Sequence, residues 1–409
     1  MPRPVCMIVH AYYDEHPRVR REAEALVRSG RPVDVFALRR ADDRASEIVE
    51  GVHVRRLNVQ RHQGAPLRTY VVEYLDFFVR ASWAVSIAHR RRRYALVQVH
   101  SPPDFLAFAA VVLRLSRVPL LLDLHEAVPE FFKTRFPYIS SPLVHRLVAL
   151  QERLAIAAAD AVITVTDALA IRLHRLGVSP AKVSVVLNSP ALYRFDALAY
   201  RDRPFMEDGV LRLVYAGALT PTYELDAVLA ATSCLAQARP NLRVALEVYG
   251  RGDDRERLEE QAARLGVADQ VTFHGRIPLD AVPRAIAAAD VGIAPVRHNP
   301  FTEMALSQKI LEYGVMGKPV VTSRLPTVQG YFSPGTLWMY TPGDAADLAA
   351  ALLRIVDDPV ARASRVARVR ERVHELGWDQ GAQRYVELVE RLASDGRAIA
   401  APAPAATLR

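Results

Sequence analysis

The stretch FTEMALSQKILEYGVMGKPVVTS, residues 301–323, shows the order of loop, helix and buried strand that indicates the fold. A loop leads into an apolar-periodic helix from about Leu306 to Met316, and Gly317 stops that helix before a buried strand. Lys309 and Glu312 are three residues apart and therefore share one helix face. The pattern predicts a helix that feeds a buried strand and presents a lysine and a carboxylate in its first turns.

The same alternation of short β-branched runs and longer helical stretches continues outward in both directions. Near-continuous apolar strands that alternate with helices indicate parallel sheets covered on both faces. We therefore expect an α/β protein with two doubly wound, Rossmann-like domains. The predicted strands are Val5–Val9, Val33–Leu38, Val52–Leu57, 95–99, Leu120–Leu124, 161–166, 183–187, 211–216, 244–249, 271–274, 291–295, 319–322 and 337–340.

The domain boundaries follow from where this periodicity fails. Residues 191–208 (ALYRFDALAYRDRPFMED) lack a clean period and carry a proline and several charges, so we predict an interdomain linker there. The first domain is then 1–190 and the second 209–375. A terminal helix within 376–393 is expected to pack back toward the first domain, and residues 394–409 have the composition of a disordered Ala/Pro tail.

Composition restricts the class of protein. Of 409 residues, 51% are hydrophobic and 24% charged, and none of the apolar runs reaches the length of a membrane span. Two distant cysteines, Cys6 and Cys234, give no disulfide framework. We expect a cytoplasmic protein. Of the net charge of +8, residues 1–200 carry +9 and residues 201–409 carry −1, so the first half favours an anionic partner.

Ligands of open parallel sheets bind outside the carboxyl ends of the strands, so residues there are the first functional candidates. In the first domain His10, His100 and His125 each follow a predicted strand. An imidazole in that position can act as a base or donate a hydrogen bond to an oxygen that gains charge. Each could instead bond only to a neighbouring loop. We predict that the three share one crevice.

In the second domain the strand ends carry glycines instead, Gly217, Gly250 and Gly275. Glycine lets backbone N–H groups approach a phosphate closely, although glycines at strand ends are also ordinary turn formers. Lys309 near a helix start could neutralise a diphosphate, and Glu312 one turn later could accept both hydroxyls of a ribose. The alternative for this pair is a surface ion pair without function.

Several segments, in the right order, carry a resemblance to a known family. They are HPRVRREAEALVRSGRPVDV (16–35), KVSVVLNSP (182–190), LRLVYAGALTPTYELDAVL (211–229), VTFHGRIPLDAVPRAIAAADVGIAPV (271–296) and residues 301–323. Together they resemble the retaining, nucleotide-sugar-dependent glycosyltransferases of GT-B architecture, of the family 4-like kind. That resemblance implies two Rossmann-like domains facing across a cleft and transfer of a sugar from a nucleoside diphosphate without a metal or other cofactor.

The resemblance also implies roles for several of the candidates. His125 matches the family's active-site histidine, which contacts the donor sugar. Lys309 and Glu312 would hold the diphosphate and the ribose. The remaining donor-binding candidates are Gly217, Ala218, Gly250, Arg276 and Ile310, and the remaining cleft or acceptor candidates are His10, His100 and Asn188.

Three positions depart from the family pattern. The first glutamate of the family's glutamate pair would stand at position 304, which is Met304, and Glu303 is one place before it; we group Glu303 with His125 as catalytic. The usual phosphate-binding arginine and lysine are replaced by Ala218 and, approximately, Tyr223. Lys309 would then carry more of the phosphate neutralisation.

The expected acceptor is a saccharide, a lipid-linked saccharide or a small molecule. Segment 67–93 places aromatic residues beside the run His89–Arg93, which suits an anionic membrane surface or, equally, a core helix whose arginines complement its dipole. Two other functions remain open: a non-catalytic partner that keeps the fold, and a nucleotide-sugar epimerase or hydrolase. No nucleic-acid recognition module is recognisable, and we expect no nucleic-acid partner.

Overall fold

The computed structural model describes residues 2–62, 67–190, 194–201 and 203–395. The chain divides into two compact units, one formed by Met1–Asn188 with Asp379–Arg409 and the other by Ser189–Trp378. Each unit has its own sheet and its own hydrophobic core.

In the first unit the sheet order is β3-β4-β2-β1-β5-β6-β7-β8. β1 and β5 are central and fully buried, which explains the continuous apolar sequence of β1. The strands are β1 (Val5–Val9), β2 (Val33–Leu38), β3 (Ser46–Val49), β4 (Val52–Leu57), β5 (Leu96–His100), β6 (Leu120–Leu124), β7 (Ala161–Thr164) and β8 (Val183–Val185).

Helices cover both faces of this sheet. They are α1 (Pro17–Arg28), α2 (Leu67–Arg92), α3 (Val111–Leu115), α4 (Val128–Arg135), α5 (Pro142–Ala158) and α6 (Asp167–Arg175). Pro17 stands in the first turn of α1, where its missing N–H is no loss, and the His16 side chain accepts from the Val19 N–H at 3.4 Å.

Two details of this unit differ from the sequence prediction. β3 pairs antiparallel with β4, so the sheet is not wholly parallel; its residues alternate between exposed and half-buried at the sheet edge. Between β5 and β6, where the alternation of strands and helices predicts one helix over 104–116, the chain forms a 3-10 helix, Asp104–Ala110, followed by the short α3.

The second unit has a parallel sheet with the order β11-β10-β9-β12-β13-β14. Its strands are β9 (Val210–Ala216), β10 (Arg243–Tyr249), β11 (Val271–Gly275), β12 (Val291–Ala294), β13 (Val320–Ser323) and β14 (Trp338–Tyr340). Its helices are α7 (Leu225–Ala238), α8 (Arg255–Arg264), α9 (Val282–Ala287), α10 (Gln308–Val315), α11 (Pro326–Tyr331), α12 (Ala345–Asp357) and α13 (Pro359–Glu375).

The predicted linker, 191–208, has contacts with the second unit, although residues 191–193 and 202 lie outside the described part. The Arg203 guanidinium and the Met206 N–H both donate to the Asp290 carboxylate, at 3.1 and 2.9 Å. Asp290 also accepts from the Arg212 N–H at the start of β9. These bonds fasten the segment to the second sheet.

The last helix, α14 (Trp378–Asp395), returns to the first unit, in which Asp379 and the residues after it are counted. The Tyr385 hydroxyl donates to Gln98 Oε1 in β5 at 2.5 Å, with both side chains buried. The predicted tail, 394–409, lies outside the described residues except for Ser394 and Asp395, which end α14. Within the described ranges, none of the helices combines the length and the apolarity that crossing a bilayer requires.

Candidate active site

The carboxyl ends of three adjacent strands in the second unit meet at their glycines. The Gly217 N–H, after β9, donates to the Tyr249 carbonyl, and the Gly250 N–H, after β10, donates to the Gly275 carbonyl, both at 2.8 Å. Gly250 has φ +151°, and a Cβ built on it would overlap the Gly217 carbonyl oxygen. Only glycine fits this close approach of two loops, which places the Gly217 and Gly250 N–H groups on neighbouring backbone carbonyls.

Lys309 lies directly beside this glycine cluster. A Cβ at Gly217 would lie 2.7 Å from Lys309 Nζ. The ammonium sits 3.8 Å from the ring centroid of Tyr223 and 5.1 Å from that of Tyr215. Tyr223, the approximate counterpart of the family's usual lysine, thus supports the ammonium of another lysine instead of supplying one.

Lys309 is 7% exposed, and it forms neither an ion pair nor a hydrogen bond with any residue that the structure describes. A buried ammonium without a counter-charge is costly, and two tyrosine faces offset only part of that cost. The arrangement fits an anionic ligand at Gly217 that would supply the missing charge.

The other donor-site candidates differ in their exposure to solvent. Glu312 is half-buried and one helical turn further along the same face. Ile310 is fully buried and can face a ligand only through its backbone. Ala218 is exposed and its carbonyl accepts from the Tyr215 hydroxyl at 2.6 Å; Arg276 is exposed just after Gly275.

Glu303 lies in a short 3-10 helix, Thr302–Met304, before α10. Its carboxylate is exposed and lies 2.7 Å from His298 Nε2, while Thr327 Oγ1 donates to its backbone carbonyl at 2.5 Å. Met304 is half-buried. The backbone at this position is therefore fixed, and the carboxylate remains accessible.

In the first unit, His100 and His125 meet around one carboxylate. His100 Nδ1 and His125 Nε2 are each 3.0 Å from Asp123 Oδ2, and the His16 ring lies 5.2 Å from that of His125. Burial lowers the pKa of His100 to about 4, so His100 is neutral at physiological pH. His125 retains some solvent access.

Arg18 holds the Asp123 carboxylate in place through hydrogen bonds. Arg18 Nε and Nη2 donate to the two Asp123 oxygens at 2.9 and 2.8 Å, and Nη1 donates to the Val186 carbonyl at 2.7 Å. Burial alone would raise the pKa of Asp123, but Arg18 and then the two histidines outweigh it and hold that pKa well below its usual range. Asp123 is thus an ionised acceptor for both rings.

A cation could in principle bridge this cluster. The ligand atoms of His100, Asp123 and His125 all lie within 4.8 Å of one another. The Asp123 oxygens already accept from Arg18, however, and its positive charge opposes a metal at that point. The donor set therefore fits hydrogen bonding better than metal ligation.

His10 does not join His100 and His125. Its Nε2 lies 3.0 Å from Glu73 Oε1 of α2, its ring packs edge-on to Tyr74 and Phe77, and burial lowers its pKa. Of the three histidines for which we predicted one crevice, His100 and His125 meet at Asp123, whereas His10 pairs with Glu73. His10 does lie at a strand end, but its partner is a carboxylate 63 residues further along the chain.

Asn188 lies at the end of the first unit, and its Oδ1 accepts from Arg21 Nη2 at 2.6 Å. The sequence reasoning missed two of the four arginines of α1, Arg18 and Arg21. The sequence did carry a signal, because arginines and carboxylates stand at helical spacing in α1. The charged residues of this helix are largely buried, and Arg18 Nε lies 3.1 Å from Glu22 Oε1.

Comparison with known proteins decides the family. Residues 16–189 match the family model described as a glycosyl transferase 4-like domain, and residues 211–358 match glycosyl transferases group 1. A D-inositol 3-phosphate glycosyltransferase of Thermomonospora curvata is 26% identical over 388 residues, 90% of this chain and 88% of that protein. Sucrose-phosphate synthase from Thermosynechococcus elongatus has the same fold, with a TM-score of 0.77 at 21% identity over 95% of this chain and 99% of that one. The chain is a family 4-like glycosyltransferase of GT-B architecture.

A further fold neighbour of this glycosyltransferase is Anabaena HepE, crystallised in complex with UDP-glucose; its TM-score is 0.67 at 17% identity, covering 95% of this chain and 99% of that one. The first matched region contains the Asp123 cluster, and the second contains Gly217, Gly250 and Lys309. The predicted fold class and family are therefore confirmed.

Proposed function

We propose that this glycosyltransferase moves a sugar from a nucleoside-diphosphate sugar to a saccharide, lipid-linked saccharide or small-molecule acceptor, with retention of configuration and without a bound metal. The observation that carries the proposal is the buried ammonium of Lys309, which lacks an anionic partner among the described residues and lies beside the Gly217 backbone. A diphosphate placed there would supply the missing negative charge.

The leaving group of the reaction is the nucleoside diphosphate, whose negative charge grows as the bond to the sugar breaks. Lys309 and the N-terminal N–H groups of α10 would stabilise that charge in the way that a divalent cation does in other enzymes. Glu312, one turn later, would accept the ribose hydroxyls. Retention is proposed from the order of the motifs, which resembles that of the retaining members.

His125 is proposed to contact the donor sugar. Because ionised Asp123 only accepts hydrogen bonds, we assign the His125 proton to Nε2, which leaves Nδ1 as the ring's acceptor. His125 would then orient a sugar hydroxyl by accepting its proton in a hydrogen bond. Glu303, with its accessible carboxylate, is proposed as a second sugar contact.

A uridine diphosphate sugar is the donor to test first, because HepE was crystallised with UDP-glucose. The Thermomonospora relative is named for D-inositol 3-phosphate, so a phosphorylated polyol belongs in the acceptor screen. We also propose that the enzyme is cytoplasmic and works at the surface of a membrane with anionic lipid, through a region that includes residues 67–93.

The test is a thermal-shift panel of UDP, GDP, ADP and dTDP and their sugars on the wild type and Lys309→Met. Methionine keeps the apolar stem and removes the charge. We expect one nucleotide to raise the melting temperature of the wild type by several degrees at saturation, and Lys309→Met to lose that rise. Lys182→Met, which removes a lysine of the first unit, is the matched control and should keep it.

The ligand-free variant gives a second readout. Removing a buried charge without a counter-ion should leave the melting temperature of Lys309→Met equal to that of the wild type or higher. A variant that melts lower in the absence of ligand would show that Lys309 has a structural partner. If no nucleotide stabilises the wild type, the catalytic proposal gives way to a non-catalytic role.

A further inference from the structure

The solvent side of three helices in the first unit carries apolar side chains in stripes. On α2, Val72, Leu75, Val79, Trp83 and Ile87 are all exposed, Trp83 to 71%. Spacings of three and four residues place them along one side of the helix. That side is distinct from the buried side of α2, which packs on the sheet through Phe77, Ala81 and Val85.

Two further helices have the same character. On α5, Leu143, Leu147, Leu150 and Leu154 are exposed at spacings of four, three and four residues. The short α3 adds Val111, Val112 and Leu115, which is 80% exposed. Scattered exposed apolar residues are ordinary, but stripes on neighbouring helices mark an interaction surface.

The three helices form one layer on one face of the sheet. Their buried sides share a single core with alternate residues of the central strands: Phe77 of α2, Leu113 of α3 and Ile156 of α5 belong to the same cluster as Val97 and Leu122. Phe105, in the 3-10 helix before α3, packs on Phe78 of α2 at 5.7 Å between ring centroids. Their opposite sides therefore face the same solvent.

The exposed charges on this layer are predominantly positive. Arg68, Arg80, Arg90, Arg91 and Arg92 are exposed on α2, and Arg146 and Arg153 on α5. The acidic side chains of these helices have basic partners: Asp76 pairs with Arg80, and Glu152 is buried against Arg172. Glu73 is buried against His10. The surface is thus apolar and cationic together.

We propose that α2, α3 and α5 form a docking face for a bilayer that contains anionic lipid. Apolar stripes with a tryptophan, bordered by arginines, match the boundary between headgroups and acyl chains. A second copy of the chain fits worse, because a symmetric dimer would place this arginine-rich face against itself. The inference deepens the membrane part of the proposed function, and its test requires no sugar transfer.

The first measurement is flotation of the protein with vesicles of phosphatidylcholine alone or mixed with phosphatidylglycerol. We expect co-flotation with the anionic vesicles and its loss at high salt. Trp83 gives a local signal, because the other two tryptophans, Trp338 and Trp378, are each only 2% exposed. Its emission should shift to the blue on binding, and Trp83→Phe should remove that shift.

Charge and apolar contributions are separated by variants. Arg90→Gln with Arg91→Gln should weaken partitioning by about 30-fold, since each arginine near the surface contributes about fivefold. Leu147→Gln with Leu150→Gln should lower binding at every salt concentration. Arg92 is left intact, because it donates to the buried Asp34. Arg201→Gln with Arg264→Gln removes the same charge from the second unit and is the matched control.

Several outcomes overturn the proposal. They are equal binding by all the variants, equal binding to neutral vesicles, and a dimer that the Leu147/Leu150 variant dissociates. Nucleotide-induced thermal shifts on the same samples keep the two proposals separate. A protein that binds nucleotide but not vesicles contradicts the docking face alone, and the reverse result contradicts the donor site alone.

Discussion

Arg18 donates two hydrogen bonds to Asp123, from Nε at 2.9 Å and from Nη2 at 2.8 Å, although 105 residues separate them. Both side chains are buried beneath His100 and His125. The pair therefore sets the protonation of the histidine cluster: an ionised Asp123 requires a proton on His100 Nδ1 and on His125 Nε2. The helix that begins at Pro17 thus determines how His125 is oriented at the end of β6.

Breaking this pair should be strongly destabilising. Arg18→Met leaves a buried carboxylate without its counter-charge, and we expect the variant to lose about 3–5 kcal/mol. Differential scanning fluorimetry of the first unit's transition measures it. Arg264→Met, which removes a surface partner of Glu260, is the control and should change stability by less than about 1 kcal/mol. A loss equal to the control's would mean that Asp123 is solvated or protonated.

Glu22 should make stability depend on pH. Burial raises the pKa of Glu22 to about 8, even with Arg18 3.1 Å away and Gln98 Nε2 donating to it at 2.7 Å. A carboxyl group whose pKa is higher in the folded state contributes stability below its unfolded pKa, and that contribution is lost as pH rises to about 8.

Glu22→Gln keeps the shape of the protonated acid and removes the titration. We therefore expect the melting temperature of the wild type, relative to this variant, to fall steadily from pH 5 to pH 8. Glu260→Gln, at an exposed position, should run parallel to the wild type across the range. Parallel curves for Glu22→Gln would show that Glu22 is already ionised.

Tyr385 should couple the last helix to the first sheet. Tyr385→Phe leaves Gln98 Oε1 buried without its donor, which costs about 1–3 kcal/mol. Hydrogen exchange should accelerate in α14 more than in the helices of the second unit. Tyr138→Phe, at an exposed tyrosine, is the control. Unchanged protection of α14 would mean that its apolar contacts alone hold it.

Long buried runs made the strands predictable, because a strand such as Val5–Val9 is covered on both faces and needs apolar side chains throughout. β3 escaped prediction because an edge strand of four residues has only two side chains that are even half-buried. Lys309 was found because helix position and spacing are local. The Arg18–Asp123 pair was not found, because the spacing of residues within one segment does not reveal which strand end its helix will contact.

Gly250 provides the strictest test of the donor site. Gly250→Ala would drive a methyl group into the Gly217 carbonyl, so the loop after β10 must move away from Gly217, which lies beside Lys309. We expect the nucleotide-induced thermal shift to disappear, with a loss of ligand-free stability in addition. Gly266→Ala is the matched control, because Gly266 has φ +68° with open space around its Cβ position. It should lose stability through backbone strain of about 1–2 kcal/mol and keep the full nucleotide shift. If Gly250→Ala also keeps that shift, the nucleotide binds away from the glycine cluster.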